Sequence, residues 1–248
     1  MPTLEEHLAK KRDSWGTLET FSADEFIAER FDYRSGDHVT FLAPTQAGKT
    51  TLAFRLLQKN VSKDLPGIVM VMKPRDRIMA EWVETLKAQG WKLVRNWPPI
   101  VQKRPGWIVW PEHKFKTKED NARIRAVFER VLTDSYKKGD RIIFADETYG
   151  LTDRLGLDDE LITIWSQGAG MGCGLWAATQ RPAHIPLWAY SQAEHIFLAR
   201  DPDRRARQRY GEIGGINPQF VEYQVSRLEK YHWLYIRRTG PVACIVGP

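Results

Sequence analysis

Apolar residues come along this chain in two rhythms. Nearly unbroken short runs occupy residues 38–42, 68–72, 142–145, 175–179 and 195–198, and between them apolar positions return at helical spacing, at about 50–59, 76–88, 118–136 and 157–167. Short unbroken runs fit strands buried on both faces, and the second rhythm fits helices that lay one stripe on a core. Their alternation predicts an α/β fold with a mainly parallel sheet flanked by crossover helices.

Three stretches add detail. Ser22-Ala23-Asp24-Glu25 has the form of a capping box and predicts a short helix to about Arg30, before a turn at Gly36-Asp37. Residues 90–111 break the rhythm, with Trp91, Trp97, Trp107 and Trp110 set among four prolines, and read as strand, loop and strand. Tryptophans covering a sheet edge are the favoured account of this stretch over a nucleic-acid grip built with Lys103 and Arg104. Residues 231–238 and 242–246, separated by Gly240-Pro241, predict a C-terminal β-hairpin. The expected organisation is one domain over 1–248: an N-terminal helical segment (1–36), a core (37–200) and a helical and hairpin extension (201–248).

Composition narrows the class. A hydrophobic content of 42% over 248 residues supports a substantial core, and two cysteines, Cys173 and Cys244, suggest neither a disulfide framework nor a zinc site. No export signal is visible at the start, and apolar runs stop far short of the roughly 20 residues that cross a bilayer. The expectation is a soluble protein without a membrane span, in a reducing, cytoplasmic setting. A net charge of +6 permits a nucleic-acid partner without demanding one.

Ala43-Pro44-Thr45-Gln46-Ala47-Gly48-Lys49-Thr50 matches G-x-x-x-x-G-K-[ST] at every position but the first. A predicted strand precedes it and a predicted helix follows. In that context backbone N–H groups cradle phosphates, Lys49 reaches the β/γ oxygens, the Thr50 hydroxyl ligates Mg²⁺, and Thr51 is a further phosphate contact. Ala43 is acceptable provided its φ is negative. Arg141-Ile142-Ile143-Phe144-Ala145-Asp146-Glu147 is an apolar strand ending in two acids, the form of a Walker B segment. Asp146 is the candidate metal-side carboxylate and Glu147 the candidate base for the attacking water. Gln180 ends another buried run, and in a parallel sheet it emerges on the same edge, as a candidate sensor of the γ-phosphate.

Gln167-Gly168-Ala169-Gly170-Met171-Gly172-Cys173-Gly174, followed by Leu-Trp-Ala-Ala-Thr-Gln-Arg-Pro over 175–182, resembles the G-R-x-x-G-I-H-h-h-h-A-T-Q-R-P segment of the FtsK/HerA superfamily of DNA-pumping ATPases. The resemblance covers about residues 38–205. It implies a RecA-like (ASCE-type) P-loop NTPase fold, ATP and Mg²⁺ as ligands, a homo-oligomeric ring of five or six subunits, and ATP-driven movement of double-stranded DNA. Ala169 departs from the pattern, standing where arginine is usual. The spaced glycines are not a dinucleotide fingerprint, since Cys173 holds the third glycine's place and a strand follows where a helix should.

Arg200, Arg204, Arg205, Arg207 and Arg209 crowd the segment after the run ending at Leu198. Arg204 and Arg205 are the first candidates for a guanidinium acting on a neighbouring subunit's ATP, against the alternative of a solvated helix face. Asp201-Pro202-Asp203 reads as a turn with local ion pairs and not as a metal site. The combined expectation is a DNA translocase like the compact genome-packaging ATPases of bacterial viruses, working in the host cytoplasm and docking on a capsid portal. A cellular HerA-like or conjugation-type motor, and an ATP-gated assembly protein that moves nothing, are the alternatives.

Overall fold

The computed structural model describes residues 16–100, 103–180, 188–211, 216–240 and 242–248, with the backbone alone at 188, 190 and 204. The strands are β1 (Thr20–Ser22), β2 (Val39–Leu42), β3 (Gly67–Met70), β4 (Lys92–Val94), β5 (Gly106–Val109), β6 (Arg141–Ala145), β7 (Cys173–Thr179), β8 (His195–Ala199), β9 (Trp233–Arg237) and β10 (Val242–Gly247). The longer helices are α1 (Lys49–Asn60), α2 (Arg77–Ala88), α3 (Thr117–Lys138), α4 (Asp158–Gln167), α5 (Arg204–Tyr210) and α6 (Pro218–Arg227). All ten described strands form one sheet in the order β4-β5-β3-β6-β7-β2-β8-β9-β10-β1. From β4 to β8 every pairing is parallel; β9 then runs antiparallel to both β8 and β10, and β1 pairs parallel with β10.

The central strands are nearly all apolar because each side chain meets a helix layer, whichever way it points. Ile68, Met70, Ile143 and Ala145 join the core under α3, α4 and α6, whereas Val69, Ile142 and Phe144 face the layer of α1 and α2. The second layer is rich in rings: Phe41 stacks on Phe197 with centroids 4.9 Å apart, and Phe144 meets Phe41 and Phe54 edge-on. Such pairs add directional preference to burial and help fix the register of neighbouring strands.

Helix and strand limits fall within about two residues of the sequence reading, with informative exceptions. The run at 68–72 stops pairing as a strand at Met70, leaving Val71 and Met72 as the exit toward the functional edge. The capping box forms as expected, with the Glu25 N–H donating to Ser22 Oγ and the Ser22 N–H to Glu25 Oε2, but the helix continues as a π-turn over Phe26–Arg30. The segment called helical at 1–36 also holds β1, a short half-exposed strand with no strong apolar pattern. Tyr231, placed in the hairpin's first strand by its sequence, lies outside it with φ of 66°. Of the four tryptophans in 90–111, Trp91, Trp97 and Trp107 are buried and Trp110 donates to Lys73 O at 2.8 Å, so they cover the sheet.

The spaced glycines have a packing origin. A Cβ on Gly174 would lie 2.2 Å from Tyr33 Oη, and Gly172 turns into β7 with φ of 69° against Asp140. Residue 169 sits on that same amino edge, where Ala169 O lies against Gly36, beyond the starts of the parallel strands β2 and β7. Within one chain it is therefore at the far edge of the sheet from the loop that follows β2.

Candidate active site

The loop after β2 runs straight into α1, whose first-turn N–H groups have no helical acceptor and face the loop mouth. Gln46 (φ 62°) and Gly48 (φ 86°) carry the loop's left-handed backbone. Ala43 does not, so no backbone demand for glycine exists where the motif departs from its pattern. Ala43 is instead fully buried, with its N–H donating to Thr179 O at 3.3 Å, which ties the start of the loop to the end of β7. Lys49 is buried, and its Nζ donates to the carbonyls of Ala43 and Pro44 at 2.9 and 3.0 Å. Burial pulls this ammonium down to about 8 despite the nearby Asp146 and Glu147. An anion bound beside it would oppose that fall and favour the charged form.

The strand order places the carboxylates. β7 lies between the loop strand β2 and the carboxylate strand β6, and Ala145 pairs with Ala177, so β6 and β7 end on one edge. Thr50 Oγ1 donates to Asp146 Oδ1 at 2.9 Å, Thr179 Oγ1 to Glu147 Oε1 at 3.2 Å, and Thr45 Oγ1 to Gln180 Oε1 at 2.7 Å. Thr45, Lys49 and Thr50 of the loop, Asp146 and Glu147 after β6, and Gln180 after β7 thus lie together at the carboxyl edge. Burial raises both acids above the ordinary carboxylate range. For Asp146 the neighbouring Lys73 and the Thr50 hydroxyl oppose the rise; for Glu147, Lys49 and the Thr179 hydroxyl do. A raised carboxylate beside a polar cradle is the better proton acceptor.

Three residues of this edge escaped the sequence reading. Lys73 Nζ stands 3.9 Å from Asp146 Oδ2 and 3.0 Å from Asp76 Oδ2. Its position follows from register, since Met70 pairs with Ala145, so chain leaving β3 emerges beside chain leaving β6. Thr179 holds Glu147, as above. Asp201, beyond β8, is buried, takes the Asp203 N–H at 2.8 Å and interacts with the Lys49 charge. A cleft of about 650 Å³ opens on the Glu147 side, lined by Met72, Lys73, His113, Tyr149 and Gln180.

Thr50 and Asp146 suit Mg²⁺. They set two hard oxygens together at the loop mouth, and a cation there would offset the burial of Asp146. Among the described residues no cluster of three or more His, Cys, Asp or Glu could hold a metal by itself. Two protein oxygens are in keeping with an ion that keeps waters and takes phosphate oxygens.

The arginine segment reads differently. Asp203 caps α5 by accepting the Arg205 N–H at 2.8 Å, and Arg207 donates to the carbonyls of Asp201 and Pro202, so Asp201-Pro202-Asp203 is a turn that starts a helix. The exposed Arg205 side chain, among the described interactions, bonds neither the phosphate loop nor Asp146 or Glu147 of its own chain. The Arg204 side chain, and Arg181 and Pro182 of the Thr-Gln-Arg-Pro segment, lie outside the described residues.

No protein-family model matches the sequence, and no curated protein matches it. Solved structures do match the fold. B204, the DNA-packaging ATPase from Sulfolobus turreted icosahedral virus, is similar with a TM-score of 0.61 at 15% identity, over 87% of this chain and 99% of its own. The genome packaging NTPase B204 of Sulfolobus turreted icosahedral virus 2, in complex with AMPPCP, gives 0.58 at 16% identity, over 86% and 97%. The cytoplasmic domain of the type VII secretion ATPase EccC from Thermomonospora curvata gives 0.51 at 14% identity, over 86% of this chain and 25% of its own. The chain has the RecA-like P-loop NTPase fold, a mainly parallel sheet flanked by helices and closed by an antiparallel hairpin.

Proposed function

We propose that this protein hydrolyses ATP and uses the cycle to move double-stranded DNA, as a genome-packaging motor. The observation that carries the reading is β7 lying between the loop strand and the carboxylate strand, because that order puts Glu147, Thr179 and Gln180 beside the mouth of the phosphate loop. The likeness to B204, a DNA-packaging ATPase, over 87% of this chain and 99% of its own supports packaging over secretion or conjugation.

The chain's own groups divide the work. Lys49 and the first N–H groups of α1 bind and orient the triphosphate. Thr50 and Asp146 would hold Mg²⁺, which when bound would supply charge neutralisation to the triphosphate. Glu147 takes a proton from the water aligned with the γ-phosphorus as the new O–P bond forms and the bond to the β,γ-bridging oxygen breaks. Thr179 keeps Glu147 in place. Gln180, bonded to the loop through Thr45, is set to pass the presence or loss of the γ-phosphate to the end of β7. In a ring of five or six copies, seated on a capsid portal in the host cytoplasm, Arg204 or Arg205 would approach the neighbouring subunit's ATP.

Steady-state ATP hydrolysis, with and without long duplex DNA, tests the reading. We expect Mg²⁺-dependent turnover that duplex DNA stimulates and Lys49→Ala removes. Hydrolysis indifferent to DNA would favour an ATP-gated assembly protein, and none at all would refute the ATPase.

A further inference from the structure

We infer that a second pocket, on the flank of the phosphate loop away from Glu147, holds the nucleotide's base, and that Tyr231 is the ring on which the base stacks. The inference rests on the ATPase reading and extends it to residues no motif marks.

The direction of the triphosphate follows from the site. Lys49, Thr50, Asp146, Glu147 and Gln180 fix the γ end, beside the cleft at Met72 and Tyr149. On the other flank Gln46, Gly48 and Thr51 border a separate pocket of about 480 Å³, which shares no lining residue with that cleft. A phosphate chain whose γ end meets Glu147 must leave the loop past Thr51, and so delivers its nucleoside here. The volume lies within the usual range for small-molecule sites.

The walls suit a flat aromatic ring. Tyr231 is 45% exposed and Ile78 49% exposed, and these two of the few exposed large apolar side chains among the described residues line the same pocket, with Leu52 and Trp233 behind them. Tyr231 adopts φ of 66°, which is costly for a residue other than glycine or asparagine, and its ring edge lies close enough to Gly48 that a Cβ there would be 3.4 Å away. Lys230 Nζ lies over the ring, 4.8 Å from its centroid, and adds positive charge beside it. The hairpin's first turn thus spends backbone strain to hold an aromatic ring against the start of the phosphate-binding helix.

The test compares ATP with inorganic tripolyphosphate, which carries the phosphates without a base, by calorimetry with Mg²⁺. Tyr231→Asn removes the ring and tolerates the left-handed backbone, and Ile78→Ser removes the facing wall; both positions are half exposed, so folding is not at stake. Tyr231→Asn should weaken ATP roughly tenfold and leave tripolyphosphate unchanged. Ile78→Ser should act in the same sense, and Tyr231→Phe should bind ATP as the parent does. ATP binding unchanged in both the Asn and Ser variants would overturn the inference, and with loss of self-association it would make the pocket a contact between copies. Equal weakening of ATP and tripolyphosphate would overturn it too, since the ring would then act on the loop. A parent protein that binds tripolyphosphate but gains nothing from the base would refute this inference alone; one that binds neither would refute the phosphate loop itself.

Discussion

Glu147→Gln separates binding from chemistry. Glutamine keeps the shape of the side chain, and its carbonyl can still accept the Thr179 hydroxyl that now meets Oε1 at 3.2 Å, so the loop, Lys49 and Asp146 stay in place. What disappears is the proposed proton acceptor, and positioned acid–base groups contribute about 10² to 10⁴ in rate. At about 1.36 kcal/mol per tenfold, the barrier should rise by about 2.7 to 5.4 kcal/mol, with ATP affinity within a few-fold of the parent. Two pH dependences follow from the raised Glu147. The parent's turnover should climb as pH rises through that raised value, and the residual rate of the variant should not. For stability the sign is opposite: a carboxyl whose folded-state value is raised favours the native state while protonated, and that contribution is lost as pH rises through the raised value. The variant, permanently neutral, should therefore melt above the parent at neutral pH and converge with it below the ordinary carboxylate range. Single-turnover hydrolysis, equilibrium ATP binding and melting curves across pH read all three. Near-parental turnover, or a variant that melts below the parent at neutral pH, would refute the assignment.

Gln180→Ala should spare ATP binding and lower DNA-coupled turnover, because its bond to Thr45 joins the loop to β7; lost binding with intact coupling would count against a sensor. Arg204→Ala and Arg205→Ala should be compared: the correct one keeps ATP affinity and nearly abolishes hydrolysis, a trans arginine being worth about 10³ to 10⁵. Mixing that variant with Glu147→Gln should recover activity at interfaces pairing an intact Glu147 with an intact arginine; no recovery would exclude action in trans. Gly174→Ala, driven into Tyr33 Oη, should cost about 1 to 3 kcal/mol and several degrees of Tm, whereas Gly170→Ala, which meets nothing within 4 Å, should be close to neutral.

The parts of this protein that were legible in its sequence are those whose cause is local. Strands buried on both faces must be apolar throughout, so β6 and β7 announce themselves, and the phosphate loop and the Asp146-Glu147 pair are contiguous. The packing of tryptophans in 90–111 followed from ring size, as Trp91 fitting over Gly67 and Gly106 shows. What depended on strand order was not legible. Lys73 reaches Asp146 only because β3 lies beside β6. Thr179 looked like the end of a run until β7 took its place beside β6 and gave it Glu147 to hold. β1 exists because β10, from the other end of the chain, offers it a free edge, and Tyr231 meets Gly48 because the same hairpin folds back over the loop. Ala169 shows the reverse case: the pattern marks the absence of an arginine there, and only the fold shows that the position lies at the amino edge.

The central claim is that ATP hydrolysis drives movement along duplex DNA, and the most direct measurement is displacement of a third strand from the far end of a long duplex. The account predicts release that requires ATP, begins after a lag growing with duplex length, and is absent with Glu147→Gln. Undiminished ATP hydrolysis without release, or release at the same rate without ATP, would contradict it.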